Sequence, residues 1–275
     1  MRFSALTILL VVFTLAGCSS LQTQPSYRLL TKTNWVRETT KTDYLGPKLV
    51  HSMAPVIDED IIYQGNAADG FVALDRKTGH FLWRLNIKNG VTSGAVIVGG
   101  VIYFSGNDGQ FYAVRKTQGQ IVWTFPTQTE SLSKPVTDGK VIYFLTSNGT
   151  LYALDLKTGK QIWSYIQKDN SPINIRGESA PVIEGNYLYV GFSDGTLAAF
   201  DKEKGALKWE RNLAAPQDRF HDIGSSPVIS GEYVFVTNYS GGLFCIKRTS
   251  GDIVWKTDEG GATGLTVQGN RIYYS

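Results

Sequence analysis

Hydrophobic positions along this chain come in short β-branched and aromatic runs, each closed by a polar or glycine-bearing turn. One unit can be followed strand by strand. Ala180-Pro181-Val182-Ile183 is a short apolar run ended by Glu184-Gly185-Asn186, and Tyr187 to Phe192 is a second. Ser193-Asp194-Gly195 predicts a tight turn, where Asp-Gly is expected to supply the positive φ angles of a two-residue hairpin. Thr196 to Asp201 follows as a third strand, Lys202 to Gly205 turns the chain, and Leu207 to Trp209 opens a fourth. Asn107-Asp108-Gly109 and Ser147-Asn148-Gly149 repeat the middle turn in earlier units.

The pattern recurs. A small residue, a hydrophobe, often Asp, a turn ending in Gly and then Trp appear five times, at Ala73…Trp83, Ala113…Trp123, Ala153…Trp163, Ala199…Trp209 and Cys245…Trp255. In every copy the small residue and the Trp stand ten apart, with Gly four before the Trp. The Trp-to-Trp steps are 40, 40, 46 and 46 residues, and the inner-strand starts Pro55, Ala95, Pro135, Pro181 and Pro227 keep the same spacing. Repeats of this length, each holding several short strands, predict an all-β fold, a β-propeller of four-stranded blades. Stacked blades cover one another's faces, so the Trp residues are expected to plug the space between blades and not to serve as base-stacking platforms.

Five repeats are complete. Trp35 has no such phrase before it and reads as the outer strand of a further blade. Gly264 to Val267 and Arg271 to Tyr274 read as the first two strands of a sixth blade, after which the sequence stops at Ser275. The expectation is a truncated form of a longer propeller, with a distorted six-bladed closure as the alternative.

The front end is of another kind. Met1-Arg2 is followed by an apolar stretch, Ala5 to Ala16, too short for a comfortable membrane span, ending in Leu15-Ala16-Gly17-Cys18. This resembles the bacterial lipobox. The resemblance implies a signal peptide over 1–17, lipidation of Cys18, and a lipidated N-terminus and tether over 18–34 that precedes a propeller domain over 35–275. Several acyl chains anchor stably without spanning, at about 0.8 kcal/mol per buried methylene. By the same resemblance, Ser19 after the cysteine, where an Asp would suggest inner-membrane retention, implies the outer membrane, facing the periplasm.

Composition narrows the chemistry. Charged residues make up 19% and the net charge is +3, which is not a nucleic-acid binder's balance. Cys18 and Cys245 offer no disulfide framework, and Cys245 fills a slot held by Ala elsewhere, so it reads as a buried small hydrophobe. His51, His80 and His221 form no spaced set with Cys or Asp, so no metal site is expected. No nucleophile elbow, phosphate loop or Cys/His dyad is present, and no catalytic residue is expected. Asp75, Asp155 and Asp201 recur at a turn, which points to local hydrogen bonding.

The repeats disagree in one connection only. From Trp to the next inner strand the chain takes 12 residues twice (83 to 95, 123 to 135), then 18 twice (163 to 181, 209 to 227). Both insertions join an outer strand to the next inner strand, so they sit on one face of consecutive blades. Extra length there points to binding. The first holds Ser171 to Glu178 and the second Pro216 to Ile223; each combines hydrophobes with Arg and acid, as protein-binding patches do. In the alternative, Ile173 or Ile175 tucks under the loop and Arg176 pairs locally with Glu178.

Two resemblances follow. The Trp-bearing repeat is similar to that of pyrroloquinoline-quinone dehydrogenases, a family that holds its quinone with adjacent disulfide-bonded cysteines and calcium. Here Cys18 and Cys245 are far apart, so no cofactor is expected. Ile173-Asn174-Ile175-Arg176-Gly177-Glu178-Ser179-Ala180-Pro181 is more specific. With the lipobox, tether and blades, it resembles the BamB family, the eight-bladed lipoprotein subunits of the outer-membrane β-barrel assembly (BAM) machinery, where the matching stretch reads Leu-Ser-Leu-Arg-Gly-Glu-Ser-Ala-Pro. That resemblance implies a non-enzymatic scaffold. Its Ile173, Ile175 and Arg176 would dock on the periplasmic POTRA domains of BamA, with unfolded outer-membrane protein precursors nearby. Asp222 matches the first acid of the family's Asp-x-Asp in the neighbouring loop, whereas Gly224 stands at the second. A quinoprotein oxidoreductase and a periplasmic propeller for another ligand are the rival readings.

Overall fold

The computed structural model describes residues 33–37, 53–66, 69–131, 133–168, 179–214, 221–239, 242–258 and 264–274. The described residues from Trp35 onward pack as one unit. Five four-stranded antiparallel sheets follow in chain order: β1 (Val56–Asp58) to β4 (Phe81–Leu85), β5 (Ala95–Val98) to β8 (Ile121–Pro126), β9 (Val136–Thr137) to β12 (Gln161–Ile166), β13 (Val182–Glu184) to β16 (Leu207–Asn212), and β17 (Val228–Ser230) to β20 (Ile253–Thr257). A hairpin of β21 (Thr266–Gln268) and β22 (Arg271–Tyr273) begins a sixth. Within each sheet strands pair in sequence order. This is the β-propeller of four-stranded blades that the spacing predicted.

Register explains the repeated phrase. The small residue pairs directly with the Trp, as Ala73 with Trp83, Ala113 with Trp123, Ala153 with Trp163, Ala199 with Trp209 and Cys245 with Trp255. Each third-to-fourth-strand ladder carries an irregularity immediately after that pair, a bulge built five times over. On its other side the small residue pairs with an aromatic of the second strand: Tyr63, Tyr103, Tyr143, Tyr189 or Phe235. The row across each sheet is therefore aromatic, small, Trp. Over the small residue the two rings approach to 5.8–6.0 Å between centroids.

That row is aimed at the next blade. Trp83 Nε1 donates to Lys116 O at 2.9 Å, and Tyr63 Oη donates to the same oxygen at 3.1 Å. The two donors converge likewise on Leu156 O from Trp123 and Tyr103, on Lys202 O from Trp163 and Tyr143, and on Arg248 O from Trp209 and Tyr189. The accepting turn brings its glycine against the indole. A Cβ at Gly119, Gly159, Gly205 or Gly251 would lie 2.6–2.7 Å from the Trp ring, and each of these glycines has a left-handed φ between +66° and +74°. Trp35 does the same to the first blade. Its Nε1 donates to Arg76 O at 2.9 Å, its ring lies over Gly79, and Arg37 donates to Gly79 O at 3.0 Å as Arg211 does to Gly251 O at 2.9 Å. Trp35 thus takes the outer-strand position, as its sequence context implied, although 33–37 form no strand.

The core lies between blades. Each hydrophobic cluster draws on two neighbouring sheets, for example Tyr63, Phe71 and Ala73 of the first with Phe104, Tyr112 and Val114 of the second. Aromatic stacks join the first three blades: Phe71 on Phe104 at 3.9 Å and Phe111 on Phe144 at 4.0 Å. Between the third and fourth blades Leu151 and Val190 belong to one cluster, and Leu197 and Val236 to the next. At the fifth blade Phe235 replaces the tyrosine and brings no hydroxyl. A cavity of about 400 Å³ lined by Phe235, Cys245, Trp255, Val267 and Ile272 lies there. Cys245 is buried, as its Ala-like slot suggested, and burial pushes its thiol pKa up.

One turn differs from expectation. At Phe192 to Thr196 only Gly195 is left-handed, Gly195 N–H donates to Phe192 O, and Phe192 N–H donates to Thr196 O. This is a type I turn with a glycine bulge, not a two-residue hairpin needing two positive φ angles. Asp194 instead uses Oδ1 to accept Thr196 N–H at 2.9 Å, and Asp108 and Asn148 repeat that contact.

Candidate functional site

Alternating strand direction puts the second-to-third-strand turns and the blade-to-blade links at one end of each sheet, the link face, and the remaining turns at the other end, the opposite face. The link face is stitched in a repeating way. Three of the links leave their outer strand by donating an N–H to the turn glycine of their own blade: Thr127 to Gly109 O, Gln167 to Gly149 O and Leu213 to Gly195 O, at 2.9–3.0 Å. Five or six residues before the next inner strand, a link carbonyl accepts an N–H from the next blade's turn. The pairs are Asn107 to Gly90 O, Ser147 to Glu130 O and Tyr239 to Asp222 O, at 2.8–2.9 Å.

Asp222 therefore sits at a tie point of the scaffold. The residue is 1% exposed, and next to it Ile223 bridges to Asn238 and is buried against Gly191. Counted by the repeat, Gly90, Glu130, Arg176 and Asp222 share one column, so the Arg and acid singled out in the two long links hold equivalent positions on consecutive blades. The links over 167–181 and 213–227 are each six residues longer than that over 127–135. Ile173, Ile175 and Arg176 lie outside the described residues, as do Cys18 and His51. His80 is exposed and His221 half-buried, on opposite faces. Sequence reasoning passed over Tyr239, which is 42% exposed beside the second long link. Its signal was an aromatic in a turn position held elsewhere by Asn107, Ser147 and Ser193.

The opposite face holds the recurring aspartates. Asp75 Oδ1 accepts the Lys77 and Thr78 N–H groups and the Thr78 hydroxyl, and Asp155 repeats this with Lys157 and Thr158. The threonine hydroxyl, then the backbone N–H groups, hold both carboxyls below their ordinary pKa. These are turn-closing groups, as their recurrence suggested, and not a reacting pair.

The described residues do not fit a quinone with bound calcium. The chain has two cysteines, 18 and 245, with no adjacent pair, and the described His, Cys and carboxylates gather into no group of three. Among the described residues no helix is long and apolar enough to cross a membrane.

Comparison with known proteins places this geometry. No curated protein sequence matches the chain. Among solved structures, BamB from Moraxella catarrhalis superposes with a TM-score of 0.51 at 21% identity, over 81% of this chain and 79% of that one. The quinohemoprotein alcohol dehydrogenase from Comamonas testosteroni gives a TM-score of 0.62 at 15% identity, but this chain covers only 43% of it. A computationally designed protein, Ika8, gives 0.61 at 17% identity, over 80% of this chain and 66% of that one. At these identities the likenesses speak for the propeller fold alone. A family model described as "Outer membrane protein assembly factor BamB" matches residues 68–275, well over half of the chain, and with the Trp-sealed blades in place the chain belongs to that family of PQQ-like repeat propellers.

Proposed function

We propose that this chain is a non-enzymatic scaffold of the BAM machinery, lipid-anchored through Cys18 in the outer membrane and facing the periplasm. On this reading it binds the periplasmic POTRA domains of BamA and orients them for incoming barrel precursors. Family membership over residues 68–275 carries the reading. Two lengthened links on consecutive blades support it, because a rigid scaffold that varies in one kind of loop on one face is built to present those loops.

Ile173 and Ile175 supply apolar anchors, and Arg176 supplies a charge-assisted hydrogen bond to an acidic partner group. Asp222 assists, and its backbone tie to Tyr239 fixes where the second long link returns to the scaffold.

Titration of the purified chain against isolated POTRA domains tests the site. Arg176→Glu is expected to weaken binding by about 2–4 kcal/mol where that charge is desolvated on binding. Unchanged affinity would remove Arg176 from the interface.

A further inference from the structure

The five outer strands are alike in position and differ in charge. Among the described residues none of β4, β8, β12, β16 and β20 has a strand partner on its outer side, so each presents a row of backbone N–H and C=O groups. Folded proteins guard such edges, most often with charge, because an open edge is a template for another strand. β4 carries Arg84, ion-paired with Asp69 at 2.7 Å, and Arg37 and Arg84 both lie over the Phe81 ring. β16 carries Lys208, Glu210 and Arg211, and β20 carries Lys256. β8 and β12 carry no charge within the strand, although Lys160 and Lys168 stand just outside β12. Around β8 the sequence runs from Lys116 to Glu130 without one.

The two unguarded edges are on consecutive blades, and both offer apolar side chains. Ile121 is 50% exposed, Val122 43%, Ile162 49% and Ile166 66%. Aliphatic side chains on a strand pair favourably with β-branched or aromatic neighbours on an added strand. Pro126 ends β8 with a residue that has no N–H, so the open row runs over 121–125.

We propose that the outer edges of β8 and β12 are a docking surface for an added strand, taken from an extended, uncharged segment that alternates apolar and small polar side chains. The backbone row selects an extended chain, the missing charges select an uncharged one, and the exposed aliphatics select alternation. An unfolded β-barrel strand has this chemistry. That identification of the donor rests on the function proposed above; the edge itself does not.

The test uses the full chain in detergent and a fluorescein-labelled, uncharged peptide of about ten residues, alternating Val or Tyr with Ser or Thr. Fluorescence anisotropy compares wild type with Val122→Lys/Ile162→Lys and with Val254→Lys, on the already charged β20. Wild type is expected to bind, the double variant to bind about tenfold more weakly or worse, and Val254→Lys to match wild type. All three substitutions are on exposed positions, and unchanged melting temperatures verify the fold. No binding by wild type, equal binding by the double variant, or an equal loss in Val254→Lys overturns the proposal. Capture of POTRA domains by the double variant is read separately. If it persists while peptide binding is lost, both readings stand; if wild type binds peptide as described but captures no POTRA domain, only the scaffold reading falls.

Discussion

A single row of three residues sets the joints of this molecule. The small residue lets tyrosine and tryptophan meet above it, and both donors reach one carbonyl on the next blade, where a glycine lies under the indole. Gly159 shows how little room is left: its φ is +70° and an added Cβ would be 2.6 Å from the Trp123 ring. Gly159→Ala is expected to destabilise the protein by about 2–4 kcal/mol, read from the urea midpoint at constant slope. An unchanged midpoint would mean that the turn yields without loosening the joint. The turn acids make a second prediction. Asp75 and Asp155 have folded pKa values below the ordinary 3.8. Their contribution is therefore complete above that value and is lost as pH falls below it through the depressed folded values. Thr78→Val/Thr158→Val is expected to flatten the fall of stability below pH 4, measured by thermal melts across pH. The Trp, the small residue and the glycine were legible in the sequence because they recur at fixed spacing. The tyrosine recurs at the same spacing (63, 103, 143 and 189), but its part was not legible, since spacing marks a position and not the carbonyl on the next blade that its hydroxyl reaches.

At the scale of elements, the joints share a frame and differ in detail. Lys116 pairs with Asp58 across the first joint, Lys202 with Asp138 across the third at 3.2 Å, and Arg248 with Glu184 across the fourth at 3.4 Å. At the second joint the equivalent positions are Leu156 and Val98, both in one apolar cluster, and Leu156 is buried. A partly exposed ion pair contributes only about 0–1 kcal/mol, so either solution holds a joint, but a mixture does not. Leu156→Lys alone is expected to cost about 2–3 kcal/mol by placing an unpaired charge among Val98 and Val101, and Val98→Asp in the same chain to recover about 1 kcal/mol of it. A double-mutant cycle measures the coupling; additive losses would contradict the exchange. Inner-strand starts were legible to within a residue, Pro55 against Val56 and Pro181 against Val182, because the proline and turn signals punctuate the chain. The turn at Asp194 was misread because Asp-Gly is compatible with two hairpin geometries. The Asp194 side chain, bonding to Thr196 N–H, decides for the one with a single left-handed residue.

For the whole molecule, the fold was readable almost entirely from periodicity, whereas periodicity offered only a candidate location for the site. Length differences between repeats pointed to the face and the blades, but loop conformation is not repeated and leaves no periodic signal. The column of Gly90, Glu130, Arg176 and Asp222 can be counted in the sequence, but that its carbonyls at 90, 130 and 222 tie a link to the next blade could not. A scaffold needs rigid blades and loops free to be varied, and this architecture separates the two: tryptophan rows seal the blades, and the links carry the differences. The most direct measurement is co-purification from solubilised membranes, with the tagged chain as wild type and as Arg176→Glu. The account predicts that BamA is retained by wild type and lost from the variant while the variant's melting temperature is unchanged. Retention of BamA by both, or its absence from folded, lipidated wild type, would contradict it.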